Sequence, residues 1–161
     1  MNATAAPSGS TASSATLPAA NPFARESTLP YKLPPLDKIK NEHFVPALEA
    51  GMAEHRREVA DIASNKAAPT FENTIVALER SGQLLSRAAA VFFNLSSAHT
   101  NPVIEQAQTE MAPKLSAHTD AIYLDPQLFA RVKKLYDARQ SLKLDPESLR
   151  LLERYHTKFV R

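Results

Sequence analysis

The sequence predicts an all-α fold: an antiparallel bundle or array of about five helices, preceded by an extended proline-rich arm. Three observations carry this. Apolar residues recur at steps of three and four in five separate segments, no run alternates as a half-buried strand does, and three Asx-Pro pairs mark helix starts. Composition agrees. Among 161 residues there are three glycines and no cysteine or tryptophan, whereas a β fold of this size needs many more turn residues. A hydrophobic fraction of 43% suffices for one domain with a core. A net charge of +2 demands no anionic partner.

Residues 1–20 are Ala, Ser, Thr and Pro with one Gly and no charge, the composition of a disordered linker with too little to bury. As it stands the segment lacks the basic start and apolar run of a signal peptide, though it is compatible with the remnant of one already removed. A cytoplasmic and a periplasmic location both stay open. Residues 21–41 form the arm. Pro22, Pro30, Pro34 and Pro35 resist helix and strand alike, while Phe23, Leu29, Tyr31, Leu33 and Leu36 are apolar, so the arm is expected to lie over the helical body.

A helical domain, 42–161, follows. Its first helix is expected over 42–64, with the stripe Leu48, Met52, His55, Val59 and Ile62 and with Pro46 near the first turn, where its missing N–H costs least. The second is an uninterrupted pattern from Thr70 to Leu95. Phe71, Ile75, Leu78, Gly82, Leu85, Ala89 and Phe92 form one stripe, and Ala77, Leu84, Ala88, Val91 and Leu95 a neighbouring one. Together they make a face wide enough for more than one packing partner. Thr70 is the expected N-cap, and Gly82 is where another helix can approach closely. Asn101-Pro102, Asp125-Pro126 and Asp145-Pro146 each put a capping side chain before a proline at the first helical position. They start helices near 102–123, 126–140 and 146–161. The first of these carries Ile104, Ala107, Met111, Leu115 and Ile122, with a kink expected at Pro113. The next carries Leu128, Val132, Leu135 and Tyr136, and the last Leu149, Leu152, Tyr155, His156 and Phe159. Phe159 and Val160 carry the apolar face on without a stop signal, so the domain is expected to be truncated at its C-terminal end.

No catalytic, cofactor-binding or metal-binding residue is assigned. No two of the five histidines (His43, His55, His99, His118, His156) stand three or four apart, as zinc ligands on one helical turn would. His55 and His156 fall on apolar stripes and are taken as core histidines bonded to a neighbour. His43, at a helix start, is taken as exposed. No Ser sits in a nucleophile elbow, and three scattered glycines build no phosphate loop. Two basic sets, Arg131, Lys133, Lys134, Arg139 and Lys143, and Arg150, Arg154, Lys158 and Arg161, are interleaved with Asp137, Asp145, Glu147 and Glu153. They read as solvated faces, and Glu49, Glu54, Glu58 and Asp61 balance Arg56 and Arg57 in the same way. Neither a nucleic-acid partner nor a membrane is called for.

The stretch PTFENTIVALERSGQLLSRAAAVFFNLSSAHTNP (Pro69 to Pro102) resembles the N-terminal region of thimet oligopeptidase-like zinc metallopeptidases, and within them the bacterial peptidyl-dipeptidases. Asn21 to Met52, Met111 to Asp137 and Leu144 to Arg161 resemble the same enzymes, so the likeness covers nearly everything after residue 20. It rests on packing and capping residues. The resemblance implies a two-lobed helical enzyme around a deep channel. Zinc would be held by the two His of an HExxH helix and a downstream Glu, and the motif's own Glu would activate a zinc-bound water. No HExxH exists between Met1 and Arg161, so no catalytic residue carries over and no cofactor is expected in this chain, zinc being that of the full-length parent. The chain is expected to be a non-catalytic segment that helps wall the channel of an enzyme releasing C-terminal dipeptides from oligopeptides. Its partner would be the catalytic lobe. The alternative is an independent helical protein–protein interaction module.

Overall fold

The computed structural model describes residues 16–98 and 100–160; most of the linker (1–15), His99 and Arg161 lie outside the described residues. The helices are α1 (Phe44–Ala63), α2 (Ala77–Arg80), α3 (Gln83–Ala98), α4 (Pro102–Tyr123), α5 (Pro126–Asp137) and α6 (Pro146–Val160). No strand occurs among the described residues.

The three Asx-Pro starts form as the sequence predicts. Asn101 Oδ1 accepts from the N–H groups of Val103 and Ile104, both at 3.1 Å. Asp125 Oδ1 accepts from Gln127 and Leu128, and Asp145 Oδ1 from Glu147 and Ser148. Each satisfies two of the donors that a helix start leaves unpaired. Thr70 also caps as expected: its Oγ1 accepts from Asn73 N–H at 3.0 Å while Asn73 Oδ1 accepts from Thr70 N–H at 2.8 Å. α4 runs through Pro113 without interruption.

The second predicted helix is not continuous. It opens as a wide π-helical turn, Phe71–Val76, continues as α2, and breaks at Ser81-Gly82 before resuming as α3. Ser81 is extended and Gly82 has φ +68°, a left-handed conformation that glycine adopts without steric cost. The Glu58 carboxylate accepts the Gly82 N–H at 2.7 Å, and α3 starts with Ser86 N–H donating to Gly82 O. Side-chain periodicity survives a break of two residues, which is why the pattern reads as one helix.

α1 is the central element, and α3 and α4 pack along it. A Cβ on Gly51 would stand 2.8 Å from the Leu85 backbone, and one on Gly82 would stand 2.9 Å from the His55 ring. Residue numbers rise along α1 as they fall along α3, so the two are antiparallel. By contrast α1 and α4 run parallel: Asn41 bonds Asn101, Glu49 bonds Lys114 and His55 bonds His118. α5 and α6 are antiparallel, with Phe129 against Phe159 and Tyr136 stacked on His156.

Two apolar clusters result. The first joins Phe23, the N-terminal half of α1, Leu84, Ala88, Val91 and Phe92 of α3, and Ile104, Ala107 and Met111 of α4. The second joins Val59 and Ile62 of α1, Ile75, Leu78, Ile122, and the inner faces of α5 and α6. α1 and α4 belong to both. The arm meets this body less than its composition predicts. Phe23 is buried against Phe44, but Leu29, Leu33 and Leu36 are exposed and Tyr31 is 96% exposed. Asn21 fixes the Phe23 contact: it caps a short 3-10 turn at Phe23 N–H and donates to His43 O, while Ile39 at the arm's other end packs against the same cluster. Between that turn and Asn41, whose side chain donates to Asn101 Oδ1, no described side chain of the arm hydrogen-bonds one of the six α-helices.

Candidate functional site

A cleft of about 710 Å³ lies where α1, α2, α4 and α6 converge, lined among others by His55, Glu79, His118, Tyr123, Tyr155 and Lys158. α1 places His55 between Met52 and Val59, and α4 places His118 between Met111 and Ile122. The two histidines therefore stand at the waist between the two apolar clusters. His55 Nδ1 and His118 Nε2 are 3.0 Å apart, and the rings are tilted with centroids 5.0 Å apart. His118 is 5% exposed, and its Nδ1 is buried without a partner. An unpaired acceptor is tolerated better than an unpaired N–H, which assigns the tautomers. His118 Nε2–H donates to His55 Nδ1, and His55 carries its proton on Nε2.

Burial, then the charges of His55 and Arg56, push His118 down to about 4. Burial likewise lowers His55, opposed by the Glu58 carboxylate. Both imidazoles are neutral near pH 7. Across the cleft the Tyr155 hydroxyl donates to Glu79 Oε1 at 2.7 Å. Burial, with that hydrogen bond, holds the phenolic proton on well above its usual range. Lys158 Nζ donates to the Tyr123 hydroxyl at 3.2 Å.

Apart from His118 Nδ1, these groups are tied to one another. The facing nitrogens of the two histidines are tied together, Glu79 is tied to Tyr155, and the Ser81 hydroxyl donates to Leu78 O at 2.7 Å. No serine is paired with a base among these contacts, as nucleophilic catalysis requires. No group of three His, Cys, Asp or Glu side chains is placed to hold a metal ion among the described residues. The arrangement latches helices together.

Several sequence readings change here. His55 is bonded to a neighbour as a core histidine should be. His118 is as deeply placed, and its signal was present, since position 118 continues the stripe 104, 107, 111, 115 and precedes Ile122 by four. His156 stacks flat on Tyr136, 3.7 Å between centroids. His43 is half-buried rather than exposed, and its Nδ1 accepts from Lys40 N–H at 3.1 Å. Glu58 caps α3 rather than balancing Arg56 and Arg57. In the first basic set Lys133 is solvated and pairs with Asp137, but Arg131 is 7% exposed. It donates to Asn65 O, Ala67 O, Asn73 Oδ1 and Thr74 Oγ1, pinning the loop before the π-helical turn. Arg139 lies over the Tyr136 ring.

No protein-family model matches the chain. Single relatives do. The chain is 46% identical over 140 residues to dipeptidyl carboxypeptidase of Escherichia coli (strain K12), across 87% of its own length and 21% of the relative's. It is 44% identical over the same shares to dipeptidyl carboxypeptidase of Salmonella typhimurium, and 28% identical over 108 residues to oligopeptidase A of Escherichia coli, 16% of that protein. The chain thus spans about a fifth of the dipeptidyl carboxypeptidases it matches. The resemblance to bacterial peptidyl-dipeptidases read from its motifs therefore extends, as measured identity, over most of its length.

Proposed function

We propose that this chain is a non-catalytic helical segment of a zinc-dependent peptidyl-dipeptidase, an enzyme that hydrolyses C-terminal dipeptides from oligopeptides, and that it helps wall the substrate channel. The observation that carries this is the 46% identity over 140 residues to a protein named dipeptidyl carboxypeptidase, of which those residues make up 21%. The residues present do not fit a catalytic zinc. His55 and His118 spend their facing nitrogens on each other, and no third ligand stands by among the described residues. No step of hydrolysis is therefore assigned to any side chain here, and the part proposed for the chain is mechanical. Helices latched at the waist by the histidine pair and held by two cores form a stiff wall, and stiffness is what a channel that selects peptides by width needs. The proposed partner is the catalytic lobe of the same polypeptide.

The test is a peptidase assay with and without added zinc. The chain alone is expected to release no dipeptide from an oligopeptide, whereas the reading frame continued past Arg161 is expected to encode HExxH and to yield zinc-dependent activity. Dipeptide release by the 161 residues alone, or a stop codon directly after Arg161, overturns the reading; the second outcome favours an independent interaction module.

A further inference from the structure

We propose that the groove between the proline-rich arm and α3 binds a small amphiphilic carboxylate, an apolar body with one anionic head. The inference stands apart from the peptidase reading, since the groove shares no lining residue with the histidine cleft. It encloses about 550 Å³, a size typical of small-molecule sites. Its walls come from two distant segments. Phe23, Pro34, Pro35 and Leu36 stand on the arm, and Val91 and Leu95 on α3. Prolines fix the arm's backbone, so this wall is largely ordered before any ligand arrives.

Arg25, Lys32 and Arg87 also line the groove. Lys32 is paired with Glu26 at 2.8 Å. Arg25 and Arg87 have no carboxylate within ion-pair distance among the described residues. Arg87 reaches only the Phe23 carbonyl, at a long 3.5 Å, and its Nε is buried without a partner. Three cations against one carboxylate leave the groove positive, with one guanidinium short of acceptors. A carboxylate matches a guanidinium fork with two parallel hydrogen bonds, while the apolar walls exclude a strongly hydrated polyanion. Tyr31 and Lys32 have φ +56° and +57°, an uncommon pair of left-handed residues. That turn brings Lys32 to the groove and leaves Tyr31 in solvent.

The experiment is calorimetric titration of decanoate, kept below micelle formation, into the 161-residue chain. One-site saturable binding is expected. Decanol and decylammonium are expected to bind at least tenfold more weakly. Arg87→Gln is expected to weaken decanoate at least tenfold, and Leu36→Asp, at an exposed position, to weaken it as much with the circular dichroism unchanged. Arg57→Gln, outside the groove, is expected to leave the affinity within twofold. Absence of saturable binding, equal binding of decanol, or indifference to both groove substitutions overturns the proposal. So does tighter binding of acetyl-Leu-Phe than of decanoate, lost when its carboxyl is amidated, which assigns the groove to the end of a peptide.

Discussion

His118 is the residue whose titration matters most to the fold. An unperturbed imidazole titrates near 6.5, as it would in the unfolded chain, whereas burial holds His118 at about 4 and lowers His55 as well. As the pH drops from about 6.5 toward 4, the unfolded chain binds protons that the folded chain refuses, so stability falls. The slope is about 1.4 kcal/mol per pH unit for each group within its window. Urea midpoints measured from neutral pH down to about 5, above most carboxylate titrations, are expected to decline for the natural chain and to decline less steeply for His118→Gln, which retains His55. Parallel declines in the two proteins would assign the effect elsewhere. Arg131 supplies a second test. Removing it as Arg131→Ala strands the Asn65 and Ala67 carbonyls with Asn73 and Thr74, an expected loss of about 3 kcal/mol. Lys133→Ala, in the same basic run but exposed, is expected to stay within about 0.5 kcal/mol. Equal losses from the two would restore the reading of a uniform solvated face.

At the scale of elements, the α1–α3 crossing decides the packing. Gly51 lets the Leu85 backbone come within van der Waals contact, and no side chain fits between them. An alanine there gains about 1 kcal/mol of helix propensity, yet it overpacks a crossing of two backbones, which costs about 1–3 kcal/mol. Gly51→Ala is therefore expected to lower the unfolding temperature despite its better propensity, and a rise would show that the crossing relaxes freely. The caps are simpler. Asn101→Ala is expected to cost about 1 kcal/mol in chemical denaturation, because two N–H groups lose their acceptor. The caps and stripes were legible because they are local: an Asx-Pro pair or a three-four period acts within one turn of helix. The break at Ser81-Gly82 was not, because its cause is Glu58 and His55, more than twenty positions upstream.

Over the whole molecule, two apolar clusters share α1 and α4, so neither can come apart without the other. Leu152→Ala, in the second cluster, is expected to cost about 2–5 kcal/mol and to lower the urea midpoint equally for probes on α3 and on α6. A separate early transition at α6 would show that the clusters unfold independently. The chain also leaves Phe93, Val103, Val160 and, at 79% exposure, Leu124 in solvent.

By itself the sequence determined the helices, their starts and the family resemblance, since periodicity, capping and motif identity are written in neighbouring residues. It could also have shown His118 facing inward, by one more step of a stripe already traced. Only the tertiary structure decided that Arg131 is buried, that most of the arm's apolar residues face water, and that the longest helical pattern breaks in the middle. Each of those depends on a partner far away in the chain: the loop at Asn65 for Arg131, polar ties at the two ends of the arm, Asn21 and Asn41, for its exposed middle, and Glu58 with His55 for Gly82. Burial is a property of pairs of segments, and a period along one segment records that a face is covered without recording by what.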